Sequence, residues 1–303
     1  MQYNNIRFGN GIHVPYTSAE RKAAKRRNAL ITSAKYLVAA VLVVFFLFPY
    51  VFMLCKSVMQ PWEVNGSVPV HLFPKDITFS NYKIVGQFAR NFGNTFIVIA
   101  INAVFIPLSA CFVAYPLARH KFTGKKTMFA IIMATVMIPT SVLMVPQYTL
   151  YTQFGLTKKL VSLWIGAFWG GGALNIFLVI QFMRVLPKEM DAAAKIDGAN
   201  EFQIFARIVL PLCANIVLLI AINTVIGMWM DFQGPLVYLR GAPEKYTVGL
   251  AFYIEFNKDS ADFAAVSAQL MSMCVVMTLL PIVLFMFFQD RMIGGIKVGG
   301  VKG

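Results

Sequence analysis

Residues 95–118 read Thr-Phe-Ile-Val-Ile-Ala-Ile-Asn-Ala-Val-Phe-Ile-Pro-Leu-Ser-Ala-Cys-Phe-Val-Ala-Tyr-Pro-Leu-Ala, without a single charged side chain. A helix needs roughly 20 mostly apolar residues to cross a lipid bilayer. The stretch therefore has the length and composition of a membrane-spanning helix. Five further stretches share this lack of Asp, Glu, Lys and Arg, and they cover residues 36–54, 128–145, 161–183, 212–230 and 266–289.

The overall composition agrees with a membrane protein. Hydrophobic residues make up 58% of the chain and charged residues 13%, whereas soluble domains carry about 25% charged residues. The mean hydropathy of +0.67 also excludes a disordered chain. Buried helices of a large soluble protein are the alternative, and six long uncharged runs argue against it. The sequence predicts an all-α integral membrane protein with six transmembrane helices.

The distribution of Lys and Arg predicts the orientation of these spans. Segments on one side of the six spans carry 18 Lys and Arg residues, and those on the other side carry 9. Because basic residues accumulate on the cytoplasmic side, both termini are assigned to the cytoplasm. The predicted organisation is a basic tail at 1–35, a membrane domain at 36–290 and a second cytoplasmic tail at 291–303. The net charge of +14 is then a topology signal near anionic lipid, and no nucleic-acid partner is expected.

Several chemical functions lack their motifs. No Walker A sequence, GxSxG or HExxH occurs. The three His and four Cys residues show no metal-ligand spacing. We therefore expect a protein that is not an enzyme, with no catalytic residue, no metal site and no cofactor of its own. No charged group inside a span could relay protons, which disfavours a secondary transporter.

The segment between the fourth and fifth spans has the pattern of two short helices joined by a sharp turn. Pro187 is placed like a first helical residue, and the alanines that follow favour helix. Gly198 can take the left-handed conformation that ends the first helix. Asn200 and Gln203 form a capping-box pattern for the second helix. A compact helix projecting from a membrane bundle is typical of a docking element, whereas an ordinary loop rarely needs this much order.

This segment resembles the EAA loop of binding-protein-dependent ABC importer permeases. The residues that match the family pattern are Pro187, Glu189, Ala193, Ala194, Ile196, Asp197, Gly198, Ala199, Ile208, Leu210 and Pro211. Asp191 replaces one acid conservatively. Ala192 stands where the family has the glutamate that names the motif.

Four other stretches extend the resemblance over nearly the whole chain. They are Tyr115–Arg119, Met137–Pro139 with Pro146–Tyr148, Trp229–Phe232 with Gly234–Leu236, and the ending Gly299–Gly303. Together they resemble the carbohydrate-uptake branch and its smaller, MalG-like permease subunit, located in the bacterial cytoplasmic (inner) membrane. The resemblance implies the type I importer permease (MetI-like) fold.

The resemblance also implies a set of partners. These are a second permease subunit, two ATPase subunits that bind ATP and Mg, an extracytoplasmic sugar-binding protein and membrane lipid. The loop at 185–211 is implied to couple the permease to the ATPase. The coupling residues are expected to be Glu189, Asp191, Ala193, Ala194, Asp197 and Gly198.

Substrate contacts are harder to assign from sequence. Sugars are usually bound by aromatic faces and polar side chains, and the candidates inside spans are Asn102, Tyr115, Trp169, Asn175, Asn223 and Gln269. The alternative for each is a hydrogen bond between helices or a place in an interfacial belt. The extracytoplasmic loop at 233–262 is expected either to contact the binding protein or to cover the outer gate. The transported solute is a sugar or oligosaccharide on the leading interpretation and another solute, such as glycerol phosphate, on the alternative.

Overall fold

The computed structural model describes residues 18–65, 71–257 and 263–297. The predicted tails at 1–35 and 291–303, and the end of the predicted loop at 233–262, lie partly outside these described residues. Every regular element within the described ranges is helical. In chain order the α-helices are α1 (Ser18–Ser57), α2 (Pro61–Asn65), α3 (Lys83–Gln87), α4 (Ala89–Arg119), α5 (Lys125–Val136), α6 (Thr140–Gln153), α7 (Ala173–Val185), α8 (Glu189–Ile196), α9 (Glu201–Ile204), α10 (Leu210–Leu212), α11 (Ala214–Trp229), α12 (Gln233–Tyr238), α13 (Val248–Phe256) and α14 (Phe263–Lys297).

Three predicted spans are continuous helices, because α1, α4 and α14 contain residues 36–54, 95–118 and 266–289 without a break. The described part of the chain has four helical stretches long and apolar enough to cross a membrane, the fourth being Ile165–Val185, which combines a 3₁₀ turn with α7. The number rises to six when each of two bent helix pairs is counted as one span.

The predicted span at 128–145 is not one continuous helix. The chain bends by 100° between α5 and α6, and Pro139 adopts an extended backbone with φ −59° and ψ 132°. Proline lacks the N–H that a helix interior requires and disfavours helical geometry in the residue before it, so α5 ends before Pro139 and α6 begins after it.

The predicted helix at 161–183 also differs from the structure in its first half. Two 3₁₀ turns, Leu160–Leu163 and Ile165–Phe168, come first, and α7 begins only at Ala173. Gly170, Gly171 and Gly172 separate these turns from α7 with φ values of 89°, 64° and 96°. Side chains with a Cβ rarely adopt this backbone, so the three glycines permit a break that apolar composition did not indicate.

The main core lies where α4, α7 and α11 pack together. Ala110, Cys111 and Ala114 of α4 are fully buried, as are Val179 and Ile180 of α7. The small side chains of Ala110, Cys111 and Ala114 let the helix backbones approach closely, as is usual inside membranes. Cys111 and Cys213 are buried free thiols that pack in this core.

The two ends of the bundle differ in their loops. We call the end that contains Arg119, Lys125 and residues 185–211 the loop end, and the end that contains residues 58–82 and 231–257 the opposite end. At the opposite end the chain folds back onto the start of α4. Asn91 and Asn94 donate hydrogen bonds to the carbonyl of Tyr246 at 2.9 and 3.0 Å, and the Val248 N–H donates to Thr95. The segment from Gln233 to Phe256 is therefore a helical cap fixed to the bundle.

Candidate functional site

Residues 185–211 form the predicted pair of helices at the loop end. The first, α8, begins at Glu189, so the prediction that Pro187 starts it is wrong by two residues. Gly198 has φ +84° and ends the helix in the left-handed conformation, as predicted. Asn200 and Gln203 make both capping-box hydrogen bonds at 2.9 Å, which confirms that prediction too.

A salt bridge holds α8 against the end of α4. The Arg119 guanidinium donates from Nε and Nη2 to the two carboxylate oxygens of Asp191, both at 2.8 Å. The Arg119 side chain is 2% exposed and that of Asp191 is 18% exposed. A bidentate pair of this kind fixes both distance and orientation, so α8 has a defined position relative to α4.

Arg119 also closes the end of α7. Its guanidinium donates to the carbonyl oxygens of Leu186 at 2.7 Å, Pro187 at 2.8 Å and Met183 at 3.2 Å. The last carbonyls of a helix have no partner within it, and a cation there is also favoured by the helix dipole. One side chain thus joins the ends of α4 and α7 to the start of α8.

A second set of polar contacts joins α8 and α9 to α4. The Glu201 carboxylate accepts a hydrogen bond from Tyr115 at 3.1 Å and lies 2.6 Å from the Lys195 ammonium. The His120 Nε2 is 3.4 Å from the same carboxylate. Lys195 and Glu201 are about half exposed, so this pair is weaker than the buried Arg119 contact.

The opposite surface of α8 and α9 is exposed and partly apolar. Ile196 is 86% exposed, Phe202 68% and Met190 38%, and Ala192 and Ala193 are exposed beside them. We call these five residues the docking face. Exposed apolar groups clustered at the tip of a fixed helical element are typical of an interaction surface.

The structure divides the six predicted coupling residues into two groups. Asp191 and Ala194 face the bundle, Asp191 through Arg119 and Ala194 through burial in the core. The other four are exposed on the outer side of the loop: Glu189, Ala193, Asp197 and Gly198. The sequence did not single out Arg119 or Glu201 as positioning residues. Two features of the sequence could have indicated them. Arg119 is a basic residue at the end of an apolar span, and Glu201 is an acid in the loop after the fourth span.

The predicted substrate residues do not gather at one place. Asn102 is buried and donates to the carbonyls of Val98 and Leu163, and Asn175 donates to that of Gly171. Tyr115 lies at the loop end through its contact with Glu201. Trp169 is 80% exposed, Asn223 is exposed and Gln269 is half-buried. Among the described residues, no group of three His, Cys, Asp or Glu side chains could hold a metal ion.

Comparison with known proteins identifies the family. Residues 106–298 match the family described as "Binding-protein-dependent transport system inner membrane component". The chain is 30% identical to the melibiose/raffinose/stachyose import permease protein MelC of Bacillus subtilis, over 93% of this chain and 100% of MelC. It is also 30% identical to the arabinooligosaccharides transport system permease protein AraQ of Halalkalibacterium halodurans, over 84% of this chain and 91% of AraQ.

The fold agrees with a solved structure. A chain in the crystal structure of a bacterial ABC transporter involved in the import of the acidic polysaccharide alginate superposes with a TM-score of 0.77. The superposition covers 91% of this chain and 99% of that chain, with 21% identical residues. The predicted family resemblance is confirmed. The chain therefore belongs to the inner membrane components of binding-protein-dependent transport systems and is an ABC transporter permease, a transport component rather than an enzyme.

Proposed function

We propose that this chain forms half of the translocation pathway of an ATP-driven importer for a sugar or oligosaccharide. A second permease subunit supplies the other half, and two ATPase subunits bind ATP and Mg on the cytoplasmic side. An extracytoplasmic binding protein delivers the solute. The names of MelC and AraQ support the sugar assignment, because both relatives transport oligosaccharides by name.

The observation that carries this proposal is the fixed position of the docking face. Arg119 and Glu201 bind α8 and α9 to the bundle, while Ile196 and Phe202 remain exposed. In the proposed mechanism the docking face inserts into an ATPase subunit. Closure of the ATPase pair on ATP binding moves α8, and the Arg119–Asp191 contact transmits this movement to α4. Since α4 packs closely on α7 and α11, the bundle then moves as a rigid body between inward-open and outward-open states.

The experiment that tests this proposal compares two exposed apolar residues. Ile196→Ser removes a side chain from the docking face, and Phe256→Ser removes one that is 56% exposed at the opposite end. We expect Ile196→Ser to reduce co-purification of the ATPase subunits with the permease, and Phe256→Ser to leave it unchanged. Equal retention of the ATPase by both variants would contradict the proposed docking role.

The proposed orientation has six spans with both termini in the cytoplasm. It rests on the excess of Lys and Arg in the segments that the sequence assigns to one side of the six spans. Reporters inserted into the exposed segments test it directly. A reporter between Leu239 and Glu244 should give an extracytoplasmic signal, and a cytoplasmic signal from that position would overturn the orientation.

A second candidate solute class also has support among the relatives. The chain is 27% identical to the osmoprotective compounds uptake permease protein GgtD of Synechocystis. Uptake measured with a panel of labelled oligosaccharides and small osmoprotective compounds distinguishes the two classes.

A further inference from the structure

Three basic side chains line a cavity at the loop end, and two more come from the adjacent end of α7 and the start of α8. Lys121, Lys125 and Lys126 line the cavity together with Phe122, Gly124 and Thr127, and its volume is about 360 Å³. Arg184, in the last turn of α7, and Lys188, just before α8, belong to the same region. We call Lys121, Lys125, Lys126, Arg184 and Lys188 the cation cluster.

Packing between α5 and α7 brings the two parts of the cluster together. The Arg184 guanidinium lies 5.3 Å from the centre of the Phe129 ring. Phe129 follows Lys125 by one turn of α5, so both residues lie on the same helix face. Arg184 and Lys188 are close enough to Lys125 for their charges to repel its ammonium group.

No carboxylate of the described residues forms an ion pair with the cation cluster. The ion pairs found there join Arg119 to Asp191, and His120 and Lys195 to Glu201. The Lys125 ammonium donates a hydrogen bond to the neutral carbonyl of His120 at 2.8 Å. Like charges held together in this way repel one another, and an anion bound among them would remove that repulsion.

The surroundings of the cluster match a phospholipid better than a soluble phosphate. Phe122, at the cavity wall, is 39% exposed, and Met128 and Ile131 on α5 are 49% and 60% exposed. An apolar surface thus continues from the cavity along the helix. A lipid can place its phosphate among the cations and its acyl chain along this surface, whereas a free phosphate uses only the first contact.

We infer that the cation cluster binds the phosphate headgroup of an anionic phospholipid in the cytoplasmic leaflet. The leaflet assignment rests on the orientation given under the proposed function. Because Lys188 immediately precedes α8, the bound headgroup lies beside the start of the coupling helix. The site is separate from the docking face, whose exposed residues lie on α8 and α9.

The test measures lipid binding by the full-length permease after removal of its native lipid. Phosphatidylglycerol and phosphatidylcholine are titrated separately, and bound lipid is counted by native mass spectrometry. The triple variant Lys121→Gln/Lys126→Gln/Arg184→Gln removes charge from the cluster. The control Lys75→Gln/Lys83→Gln/Lys159→Gln removes three exposed lysines from the opposite end.

We expect the wild type and the control to prefer phosphatidylglycerol over phosphatidylcholine. Each basic residue near a membrane surface contributes about fivefold in affinity for anionic lipid, so the triple variant should lose at least about tenfold. Equal loss in the control, or no loss in the triple variant, would overturn the inference.

Two further measurements distinguish a phospholipid from two other occupants of the cation cluster, free phosphate and a protein. Inorganic phosphate should fail to displace phosphatidylglycerol, and displacement would show a general phosphate site instead. The triple variant should still co-purify with the ATPase, and loss of the ATPase without loss of lipid binding would make the cluster a protein interface.

A permease that transports normally but lacks selective lipid binding refutes only this inference. Selective lipid binding by a chain that transports nothing refutes only the proposed function.

Discussion

The Arg119 guanidinium binds both carboxylate oxygens of Asp191 at 2.8 Å across 72 residues of sequence. The same guanidinium donates to three carbonyls at the end of α7. The two residues therefore differ in the number of partners they would leave behind when removed. The Arg119 guanidinium donates hydrogen bonds to four groups, and the Asp191 carboxylate is one of these four.

This difference predicts unequal effects of two substitutions. Arg119→Ala should destabilise the folded permease by about 3 kcal/mol, because it leaves a largely buried carboxylate unpaired and removes one hydrogen-bond donor from each of three carbonyls. Asp191→Ala should cost less, since Arg119 keeps its carbonyl partners. Thermal unfolding of purified variants measures both effects, and the double variant should cost less than their sum.

The exposed ion pair between Lys195 and Glu201 provides the control for the comparison of Arg119→Ala with Asp191→Ala. Lys195→Ala should cost less than about 1 kcal/mol, because Lys195 and Glu201 are half exposed. Arg119→Lys should not restore stability, because lysine cannot make a bidentate contact. Equal costs for Arg119→Ala, Asp191→Ala and Lys195→Ala would mean that Arg119 does not hold α8 in place.

Gly171 and Gly172 form a matched pair that tests the packing of α4 against the start of α7. A Cβ at Gly171 would lie 2.5 Å from the Ile106 carbonyl oxygen, whereas one at Gly172 would meet nothing within 4 Å. Both residues have positive φ, so alanine strains the backbone at either position by roughly 1–3 kcal/mol. Gly171→Ala should cost a further 1–3 kcal/mol, roughly, because it overpacks the contact. Comparable melting temperatures for the two variants would show that this close approach does not occur.

Asp231 lies at the opposite end of the bundle and should make the free energy of unfolding depend on pH. Burial raises the pKa of its carboxyl, and N–H groups of Gly234 and Gln233 oppose that change. The protonated form is thus favoured by folding. Its contribution is fully present below the ordinary pKa of 3.8 and is lost as pH rises through the raised pKa. At neutral pH the charged carboxylate therefore reduces stability.

Asp231→Asn removes this charge and keeps an oxygen that accepts hydrogen bonds. We expect its melting temperature to exceed that of the wild type at neutral pH, and the difference to shrink as pH falls. Asp231→Ala is the control, because it loses the hydrogen bonds from Gln233 and Gly234 at 3.0 and 3.3 Å, at a cost of about 1 kcal/mol. A wild type more stable than Asp231→Asn at neutral pH would refute the burial argument.

Ala192 stands where the family pattern has glutamate, and its side chain is exposed on the docking face. Ala192→Glu should change the free energy of unfolding by less than about 0.5 kcal/mol, because nothing is buried or displaced. We also expect normal assembly with the ATPase, measured by co-purification. A loss of assembly would show that the partner groove has no room for the family's own residue.

Local features of the fold could be predicted from sequence. The left-handed Gly198 and the Asn200–Gln203 capping box depend on neighbouring residues only, and both are found. The apolar runs likewise identified the continuous helices α1, α4 and α14. The break at Pro139 was harder to predict, because proline also occurs inside the continuous helices at Pro49 and Pro281. Whether proline bends a span or breaks it depends on the packing around it.

The positioning contacts could not be predicted, because they join distant parts of the chain. Nothing near Arg119 in sequence indicates that Asp191 is its partner. The substrate residues show the same limit. Asn102 was chosen for its polar side chain inside a span, and the structure shows it bonded to the carbonyls of Val98 and Leu163. A side chain's partners depend on helix packing, which composition does not encode.

The central claim is that α8 couples the permease to the ATPase, and two substitutions of Gly198 test it most directly. Both Gly198→Ala and Gly198→Trp strain the left-handed backbone at φ +84°, and a Cβ at this position would meet nothing within 4 Å among the described residues. Only tryptophan adds bulk where the partner is proposed to bind. The measurement is ATP hydrolysis stimulated by the solute-loaded binding protein, in vesicles that contain the complete transporter. We predict that Gly198→Ala retains most of the stimulation and that Gly198→Trp inserts into the membrane but loses both stimulation and uptake. Normal stimulation and uptake by Gly198→Trp would contradict the account.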